Sequence, residues 1–384
     1  MKKTLLLSLL SLLAGFSINA NAMPAPTAPT LDAHSYVLMD YQSGEIIASM
    51  NPDQRVQPAS ITKLLTVYIA FDQIKKGQLK LTDTALVSKK AWMQGIDSSE
   101  SRMFLEVGTR VTISDLLRGI IIDSGNDAAV ALAEDIAGSE DLFAQMMNQY
   151  AKKLGMTNSH FADASGMPNP EHYVTARDVA TLTRALIENF PELYKIFSEK
   201  DFKYGKVATQ HNRNGLLWKD PTVDGLKTGH TQAAGYCLVA SALRDGRRLV
   251  SVVMGAQSWA NRESYSLELL NYGFRFFETD QMFGPQQPVS TVRVWKGAEE
   301  QLPIGVTPAV VMALPQGSRS QLKYTTQITT VPVAPIAIGQ KLGTVSITLD
   351  GKVIRTEPLV ALKAIPQGSL WQRLSDSVAM MINR

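Results

Sequence analysis

The chain has 384 residues, which is enough for two domains, and its 45% hydrophobic and 19% charged residues are typical of a globular protein. The net charge is +3, and it falls to +1 if residues 1–22, which hold Lys2 and Lys3 and no acids, are removed. This balance gives no general reason to expect a nucleic acid or an acidic partner.

The N-terminus has the pattern of an export signal. Lys2 and Lys3 precede an apolar stretch over residues 5–16, and Ala20-Asn21-Ala22 is a small-x-small cleavage site. An uncleaved membrane anchor is the alternative, but it would need about 20 strongly apolar residues, and this stretch is shorter. We therefore expect residues 1–22 to be a signal peptide and the remaining chain to leave the cytoplasm.

Residues 23–280 form the predicted first domain, which begins with strands. A hairpin is predicted over residues 35–50 around Gln42-Ser43-Gly44. Apolar residues at helical spacing then predict a helix from about Ser60 to Ile74, and helical patterns also dominate residues 113–154 and 175–197.

The same domain ends in strands and a helix. Two β-branched runs over residues 235–256 flank Asp245-Gly246, a strong hairpin signal. A helix is expected over residues 261–277. Its predicted buried face comprises Leu267, Leu269, Leu270, Phe274 and Phe277. Strands that enclose a helical insert fit a mixed sheet with helices packed against it.

Residues 281–366 differ from the first domain in composition and in the length of their apolar runs. Prolines are frequent, strand-like runs are short, and Asp350-Gly351 marks a turn between two of them. The pattern predicts a small all-β domain. Because it has no histidine, no cysteine and no convincing catalytic cluster, we interpret it as a spacer or an interaction module.

Residues 367–384 form an amphipathic pattern. Its apolar stripe comprises Leu370, Trp371, Leu374, Val378, Met381 and Ile382. A membrane-surface helix with Trp371 at the interface and an ordinary helix docked on the β domain both fit this pattern. The few positive charges offer little attraction to anionic lipid.

Ser60-Ile61-Thr62-Lys63 is the first of three motifs that carry chemistry. One helical turn separates Ser60 from Lys63, so the lysine amine can lie beside the serine hydroxyl. Burial and a second cation could lower the pKa of Lys63 enough to make it a base. The pattern alone is weak, because Ser320-Gln321-Leu322-Lys323 has the same spacing and is interpreted as a β-domain surface segment.

Lys227-Thr228-Gly229 is the second motif, and Lys227 is the candidate second cation. A lysine and a hydroxyl at a sheet edge can hold a substrate carboxylate, and Gly229 leaves room for substrate near the backbone. The backbone N–H groups of His230 and Ser60 could form an oxyanion hole, whereas the His230 side chain is interpreted as structural.

Ser124-Gly125-Asn126 is the third motif. The Ser124 hydroxyl could relay a proton to a leaving amine, and Asn126 could orient Lys63 or a substrate amide. A turn followed by a helix with Asn126 as its cap is the structural alternative. The single cysteine, Cys237, lies in an apolar run and is predicted to be a buried thiol. No histidine has a partner at zinc-site spacing, so we predict no metal and no cofactor.

Together, the three motifs resemble those of penicillin-binding proteins and serine β-lactamases. The chain most resembles the low-molecular-mass penicillin-binding proteins that are serine-type D-alanyl-D-alanine carboxypeptidases, through Lys227-Thr228-Gly229-His230-Thr231, Asp224-Gly225 and the sequence of residues 272–278. The resemblance implies an α/β fold: a transpeptidase/β-lactamase-like domain with an antiparallel sheet flanked by helices and a helical insert. A small all-β domain and a C-terminal amphipathic helix follow it.

This resemblance also implies a reaction. Ser60 would attack the carbonyl between two terminal D-alanines of a peptidoglycan stem pentapeptide, Lys63 would take its proton, and Ser124 would help protonate the departing D-alanine. Lys227 and Thr228 would hold the terminal carboxylate region, with Arg262 as a further contact unless it is a solvated arginine at a helix start. Water would then hydrolyse the acyl-enzyme.

The expected partners and location follow from the same resemblance. They are peptidoglycan stem peptides, β-lactam antibiotics that acylate the nucleophile, and the inner-membrane surface, which residues 367–384 would bind. The protein would therefore act peripherally on the periplasmic face of the bacterial inner membrane.

Other activities remain open at this point. A class A β-lactamase would add a Glu-x-x-x-Asn loop, but residues 161–175 contain Glu171 without that pattern. An endopeptidase that cuts D-Ala crosslinks would use the same nucleophile. A non-catalytic wall-binding protein would show a degenerate motif, and none of the three is degenerate.

Overall fold

The structure is a computed structural model that describes residues 25–94, 96 and 100–382. The predicted signal peptide therefore lies outside the described residues. The strands of the first domain are β1 (Ser35–Asp40), β2 (Ile46–Met50), β3 (Thr84–Leu86), β4 (Arg110–Thr112), β5 (Asp201–Phe202), β6 (Gln210–His211), β7 (Val223–Thr231), β8 (Gly235–Arg244) and β9 (Arg247–Ala256).

Helices fill the chain between these strands. They are α1 (Lys63–Lys75), α2 (Lys89–Met93), α3 (Ile113–Ile121), α4 (Asn126–Ala137), α5 (Glu140–Leu154), α6 (Ala176–Asn189), α7 (Pro191–Tyr194), α8 (Leu216–Lys219) and α9 (Trp259–Phe276). The predicted helix at Ser60 begins later than expected, because Ala59–Thr62 forms a 3₁₀ turn that leads into α1 at Lys63.

The central sheet has the strand order β2-β1-β9-β8-β7, and every neighbouring pair is antiparallel. The mixed sheet predicted from the element order is wrong, whereas the antiparallel sheet implied by the resemblance is confirmed. Both predicted hairpins are present, and Asp245 and Gly246 have φ angles of 49° and 78° in the turn between β8 and β9. Lys227-Thr228-Gly229 lies within the edge strand β7, just before β8 begins at Gly235.

Helices cover both faces of this sheet. Val37 and Val252 point into the core shared with the helical insert, while their neighbours Leu38 and Val253 point into the core shared with α9. Consecutive strand residues alternate between faces, so a strand covered on both sides is apolar throughout. Leu269 and Leu270 of α9 are buried as predicted, but Phe277 begins the next strand.

The second domain is all-β, as predicted. Its strands are β10 (Phe277–Phe283), β11 (Pro288–Arg293), β12 (Gln301–Gly305), β13 (Val310–Pro315), β14 (Lys323–Ile328), β15 (Lys341–Leu349) and β16 (Lys352–Ala361). β10 pairs with β13, and the other five form a sheet in the order β11-β12-β16-β15-β14. Ser320 and Lys323 lie exposed at the surface of this domain.

The chain continues into α10 (Leu370–Ile382). Its apolar stripe faces solvent, and the six stripe residues are each between 59% and 84% exposed. The opposite side of the helix faces the β domain, where the Asp376 carboxylate accepts a hydrogen bond from the Lys296 backbone N–H and lies 3.7 Å from the Arg293 guanidinium. No helix among the described residues has the length and apolarity needed to span a bilayer.

Candidate active site

Ser60 and Lys63 meet at the start of α1. The 3₁₀ turn places the Lys63 Nζ 2.9 Å from the Ser60 Oγ. Lys63 is fully buried, whereas Ser60 lines an open cleft of about 410 Å³. The nucleophile is therefore accessible to substrate while its neighbouring amine is shielded from water.

Two fixed acceptors hold the Lys63 amine. Its Nζ donates to the Asn126 Oδ1 at 2.6 Å and to the Ser165 backbone carbonyl at 2.8 Å. A neutral amine has two N–H donors for these acceptors and one lone pair left for the Ser60 hydroxyl. Burial lowers the pKa of Lys63 to about 7, although the carboxylates of Asp163 and Asp127 act in the opposite direction.

The Ser124-Gly125-Asn126 motif forms the turn between α3 and α4. Ser124 has a left-handed backbone with φ 62°, and its Oγ accepts a hydrogen bond from the Lys227 Nζ at 2.9 Å. Asn126 is the first residue of α4 and does not cap it, because Gly125 occupies the cap position. Its side chain instead reaches Lys63, which is the orienting contact that the sequence suggested.

Lys227 and Thr228 are buried in β7. Besides the Ser124 hydroxyl, the Lys227 Nζ reaches the Thr228 backbone carbonyl at 3.0 Å. Burial is the main reason that the pKa of Lys227 lies well below its usual value, and repulsion from Lys63, Arg213 and Arg262 adds to it. Repulsion from Lys63 thus helps to lower the pKa of Lys227, whereas burial is what lowers the pKa of Lys63.

Gly229 is required by packing against the nucleophile turn. A Cβ at this position would lie 3.0 Å from the Pro58 carbonyl oxygen and 3.2 Å from the Ile61 backbone nitrogen. The missing side chain at Gly229 therefore makes room for the turn that carries Ser60. From the sequence, we expected that room to serve the substrate. A side chain here would push β7 away from the nucleophile.

Arg262 is buried at the first turn of α9, so the solvated arginine considered above is wrong. Its Nη1 donates to the Gly229 carbonyl at 3.4 Å, and its guanidinium lies 5.9 Å from the centre of the Tyr236 ring. The same tyrosine ring stacks on the His230 imidazole at 4.0 Å between ring centroids. The His230 side chain is also exposed and lines the cleft, so its structural interpretation stays a prediction.

One supporting network was missed by the sequence reasoning. The Asp163 Oδ1 accepts hydrogen bonds from the backbone N–H groups of Ser165, Gly166 and Met167. Its Oδ2 lies 3.1 Å from the His172 Nδ1, and the His172 Nε2 lies 3.0 Å from the Thr62 Oγ1. This network connects the loop that supplies the Ser165 carbonyl to the turn that carries the nucleophile.

Burial by itself would raise the pKa of Asp163. The His172 contact and the backbone N–H groups outweigh that effect and hold the pKa of this carboxyl at about 2. An acidic residue and a histidine in residues 161–175, where a class A β-lactamase carries its glutamate, were the sequence signal for this pair. Asp163 and His172 flank Glu171 in this loop and were not predicted to interact.

A second supporting network lies at the start of α4. The buried Asp127 carboxylate accepts hydrogen bonds from the backbone N–H groups of Met103 and Leu105. The Ser101 carbonyl accepts a hydrogen bond from the Asn126 backbone N–H at 2.9 Å. These bonds hold an extended segment as one wall of the cleft, and they place Glu100 in it.

Cys237 is fully buried, as predicted, and burial raises the pKa of its thiol to about 11. A protonated and enclosed thiol is no nucleophile at neutral pH. Ser60 is therefore the accessible nucleophile of this site.

The fold and this site define a serine hydrolase of the penicillin-binding-protein class. Residues 22–258 match the family described as Peptidase S11, D-alanyl-D-alanine carboxypeptidase. Residues 277–367 match the C-terminal domain of penicillin-binding protein 5. The chain belongs to the Peptidase S11 family of D-alanyl-D-alanine carboxypeptidases.

Relatives match nearly the whole chain. D-alanyl-D-alanine carboxypeptidase DacC of Escherichia coli (strain K12) is 42% identical over 361 residues, which are 93% of this chain and 90% of that protein. DacA of Haemophilus influenzae is 40% identical over 374 residues, covering 96% and 95% of the two chains. The crystal structure of penicillin-binding protein 5 from Haemophilus influenzae matches with a TM-score of 0.86 at 41% identity, covering 89% of this chain and 100% of that one.

Proposed function

We propose that this protein removes the terminal D-alanine from peptidoglycan stem pentapeptides through an acyl-enzyme on Ser60. The observation that carries the proposal is the buried Lys63 amine, 2.9 Å from the Ser60 Oγ and held by two fixed acceptors. Such an amine can take the serine proton at neutral pH.

Acylation would proceed as follows. The Ser60 Oγ attacks the scissile carbonyl while its proton passes to Lys63, and the backbone N–H groups of Ser60 and His230 stabilise the oxyanion. The C–N bond then breaks, and a proton reaches the departing D-alanine through Ser124, whose hydroxyl contacts the Lys227 amine. Water later attacks the ester and releases the shortened peptide.

The cations at the β7–α9 end of the site would bind the substrate carboxylate. Lys227, Thr228 and Arg262 lie on adjoining elements, and the Arg262 guanidinium contacts the backbone at Gly229. An arriving carboxylate would stabilise the charged form of Lys227. That charge would in turn oppose protonation of Lys63 and favour its action as a base.

The direct test measures D-alanine released from a peptide ending in D-Ala-D-Ala. We expect release by the parent protein and a loss of at least about 100-fold in the Ser60→Ala variant, because the nucleophile is removed. Ser320→Ala is the matched control, since it alters the look-alike motif at the surface. Equal release by the Ser60→Ala variant would place the nucleophile elsewhere, and no release by the parent would overturn the proposal.

Covalent binding of β-lactams follows from the same chemistry. Penicillin-binding protein D2 from Listeria monocytogenes, 28% identical over 64% of this chain, is known in an ampicillin-bound form. A penicillin presents a reactive amide and a carboxylate, so it would acylate Ser60 in place of the peptide. Labelling of the Ser60→Ala and Ser320→Ala variants with a fluorescent penicillin tests this acylation.

We further propose that the protein works on the periplasmic face of the inner membrane, held there by α10. The support is the direction of the apolar stripe, which faces solvent while the polar side of the helix contacts the β domain. A helix that only stabilised the β domain would turn its apolar side inward. The export signal predicted from the sequence of residues 1–22 would bring the protein to this location.

A further inference from the structure

Glu100 occupies a fixed position in the wall of the catalytic cleft. The next residue, Ser101, is tied to the Asn126 backbone, and the Asp127 carboxylate holds the N–H groups of Met103 and Leu105. The Glu100 Oε2 itself accepts a hydrogen bond from the Asn126 Nδ2 at 3.2 Å. The proposed catalytic roles leave this carboxylate without a function.

The charge of Glu100 is available to a ligand. The side chain is half-buried, lines the cleft beside Ser60 and forms no salt bridge with the described cations, although its charge acts to raise the pKa of the buried Lys63. Its neighbour Arg102 instead lies over the Phe104 ring, 5.5 Å from the ring centre. Among the described residues that line the cleft, Glu100 is the only acid.

The two ends of the site therefore differ in charge. Lys227 and Arg262, with Arg213 acting on both electrostatically and the Asp123 carboxylate acting against it on Lys227, form an end at β7 and α9 in which cations predominate. Glu100 adds one carboxylate to the cleft wall at the far end of the Asn126 amide, whose Oδ1 accepts from Lys63 while its Nδ2 donates to Glu100. If the cationic end holds the terminal carboxylate, the acyl half of the substrate extends past Ser60 toward Asn126 and this wall.

We propose that Glu100 is a specificity residue that binds a free ammonium group on the side chain of the residue preceding D-Ala-D-Ala. This inference rests on the proposed carboxypeptidase function and names the substrate class of the same site. A stem peptide whose diamino-acid side chain is unacylated carries such an ammonium. One whose amine is already consumed in an amide crosslink lacks it, so Glu100 selects uncrosslinked peptides.

The test compares two tripeptides that differ at one amine. Nα-acetyl-L-Lys-D-Ala-D-Ala keeps its side-chain ammonium, and the Nα,Nε-diacetyl peptide does not. We expect kcat/KM for D-alanine release to be about three- to tenfold higher for the free amine, as for a partly exposed ion pair. The preference should appear mainly in KM and shrink between about 0.02 and 0.5 M salt.

Glu100→Gln separates recognition from structural support. Glutamine keeps a side-chain oxygen as acceptor for the Asn126 Nδ2 but carries no charge, so we expect the ratio between the two peptides to fall to about one. Glu106→Gln is the matched control. It removes the same charge from an exposed residue of the same segment that does not line the cleft, and it should keep the preference.

Three results would overturn the inference. They are equal kcat/KM values for the two peptides with the parent protein, a preference retained in the Glu100→Gln variant, or a preference insensitive to salt. The salt series uses the parent protein and so remains decisive if the variant folds poorly. Equal release of D-alanine from both peptides would leave the carboxypeptidase proposal intact, whereas no release from either would overturn both.

Discussion

At the scale of single residues, the main question is how a lysine can act as a base. The Lys63 ammonium is disfavoured because the side chain is fully buried, and the carboxylates of Asp163, Asp127 and Glu100 only partly offset that effect. The result is a pKa of about 7, close to the working pH that suits general-base catalysis.

This predicts a pH profile with a definite sign. Lys63 must be neutral to accept the Ser60 proton, so kcat/KM for acylation by a fluorescent penicillin should rise through about pH 7. A profile that is flat from acidic to mildly basic pH would contradict the base assignment.

Lys63→Arg provides the matched variant. It keeps a cation near Asn126, but a guanidinium does not lose its proton in proteins, so acylation should fall by about 100-fold or more at every pH. Recovery of the rate at high pH would argue against Lys63 as the base.

At the scale of elements, the site depends on close contact between the loop of residues 163–172 and the nucleophile turn. Gly166 has a φ of 92°, and a Cβ there would lie 1.8 Å from the Ala59 carbonyl oxygen and 2.8 Å from the Thr62 Oγ1. No side chain fits without moving the turn, the loop or both.

Gly166→Ala should therefore cost about 3 kcal/mol or more in the free energy of unfolding and strongly reduce acylation of Ser60. Gly77→Ala is the matched control. Gly77 also has a positive φ, 72°, but nothing lies within 4 Å of its added Cβ, so only the backbone cost of about 1 kcal/mol applies. Urea denaturation and penicillin labelling measure both effects. Equal costs at the two positions would show that the contact with Ala59 is unimportant.

At the scale of the whole molecule, the β domain connects the catalytic domain to α10. The Glu45 carboxylate, between β1 and β2, lies 3.0 Å from the Arg355 guanidinium and accepts a hydrogen bond from the Ala313 backbone N–H at 2.7 Å. These contacts fix the catalytic domain against the β domain, while the apolar stripe of α10 remains exposed.

If α10 is the anchor, removal of residues 367–384 should release the protein from membranes, because it removes the exposed stripe, while D-alanine release from a soluble peptide should persist. Co-sedimentation with lipid vesicles measures binding. In the full chain, Leu374→Glu with Met381→Glu should also abolish binding, since both residues lie on the stripe. Gln372→Glu, on the opposite side of the helix, should not. Vesicle binding by the truncated protein would contradict the anchor.

Much of this architecture was predictable from local patterns. The two hairpins, α9, the β domain and the amphipathic stripe of α10 were expected because strand alternation, turn residues and helical spacing are short-range signals. The helix start at Ser60 was misplaced, because a 3₁₀ turn differs little in sequence from the first turn of an α-helix.

The sequence by itself determined the three motifs, the reaction class that they imply and the order of the domains, since these depend on residue type and spacing. Only the tertiary structure revealed the Ser165 carbonyl on Lys63, the Asp163–His172 network and Glu100 in the cleft wall. A backbone carbonyl has no sequence signature, and the partners of these side chains come from elements far apart in the chain. Packing alone brings them together, and packing also buries the two lysines whose altered pKa values the chemistry requires.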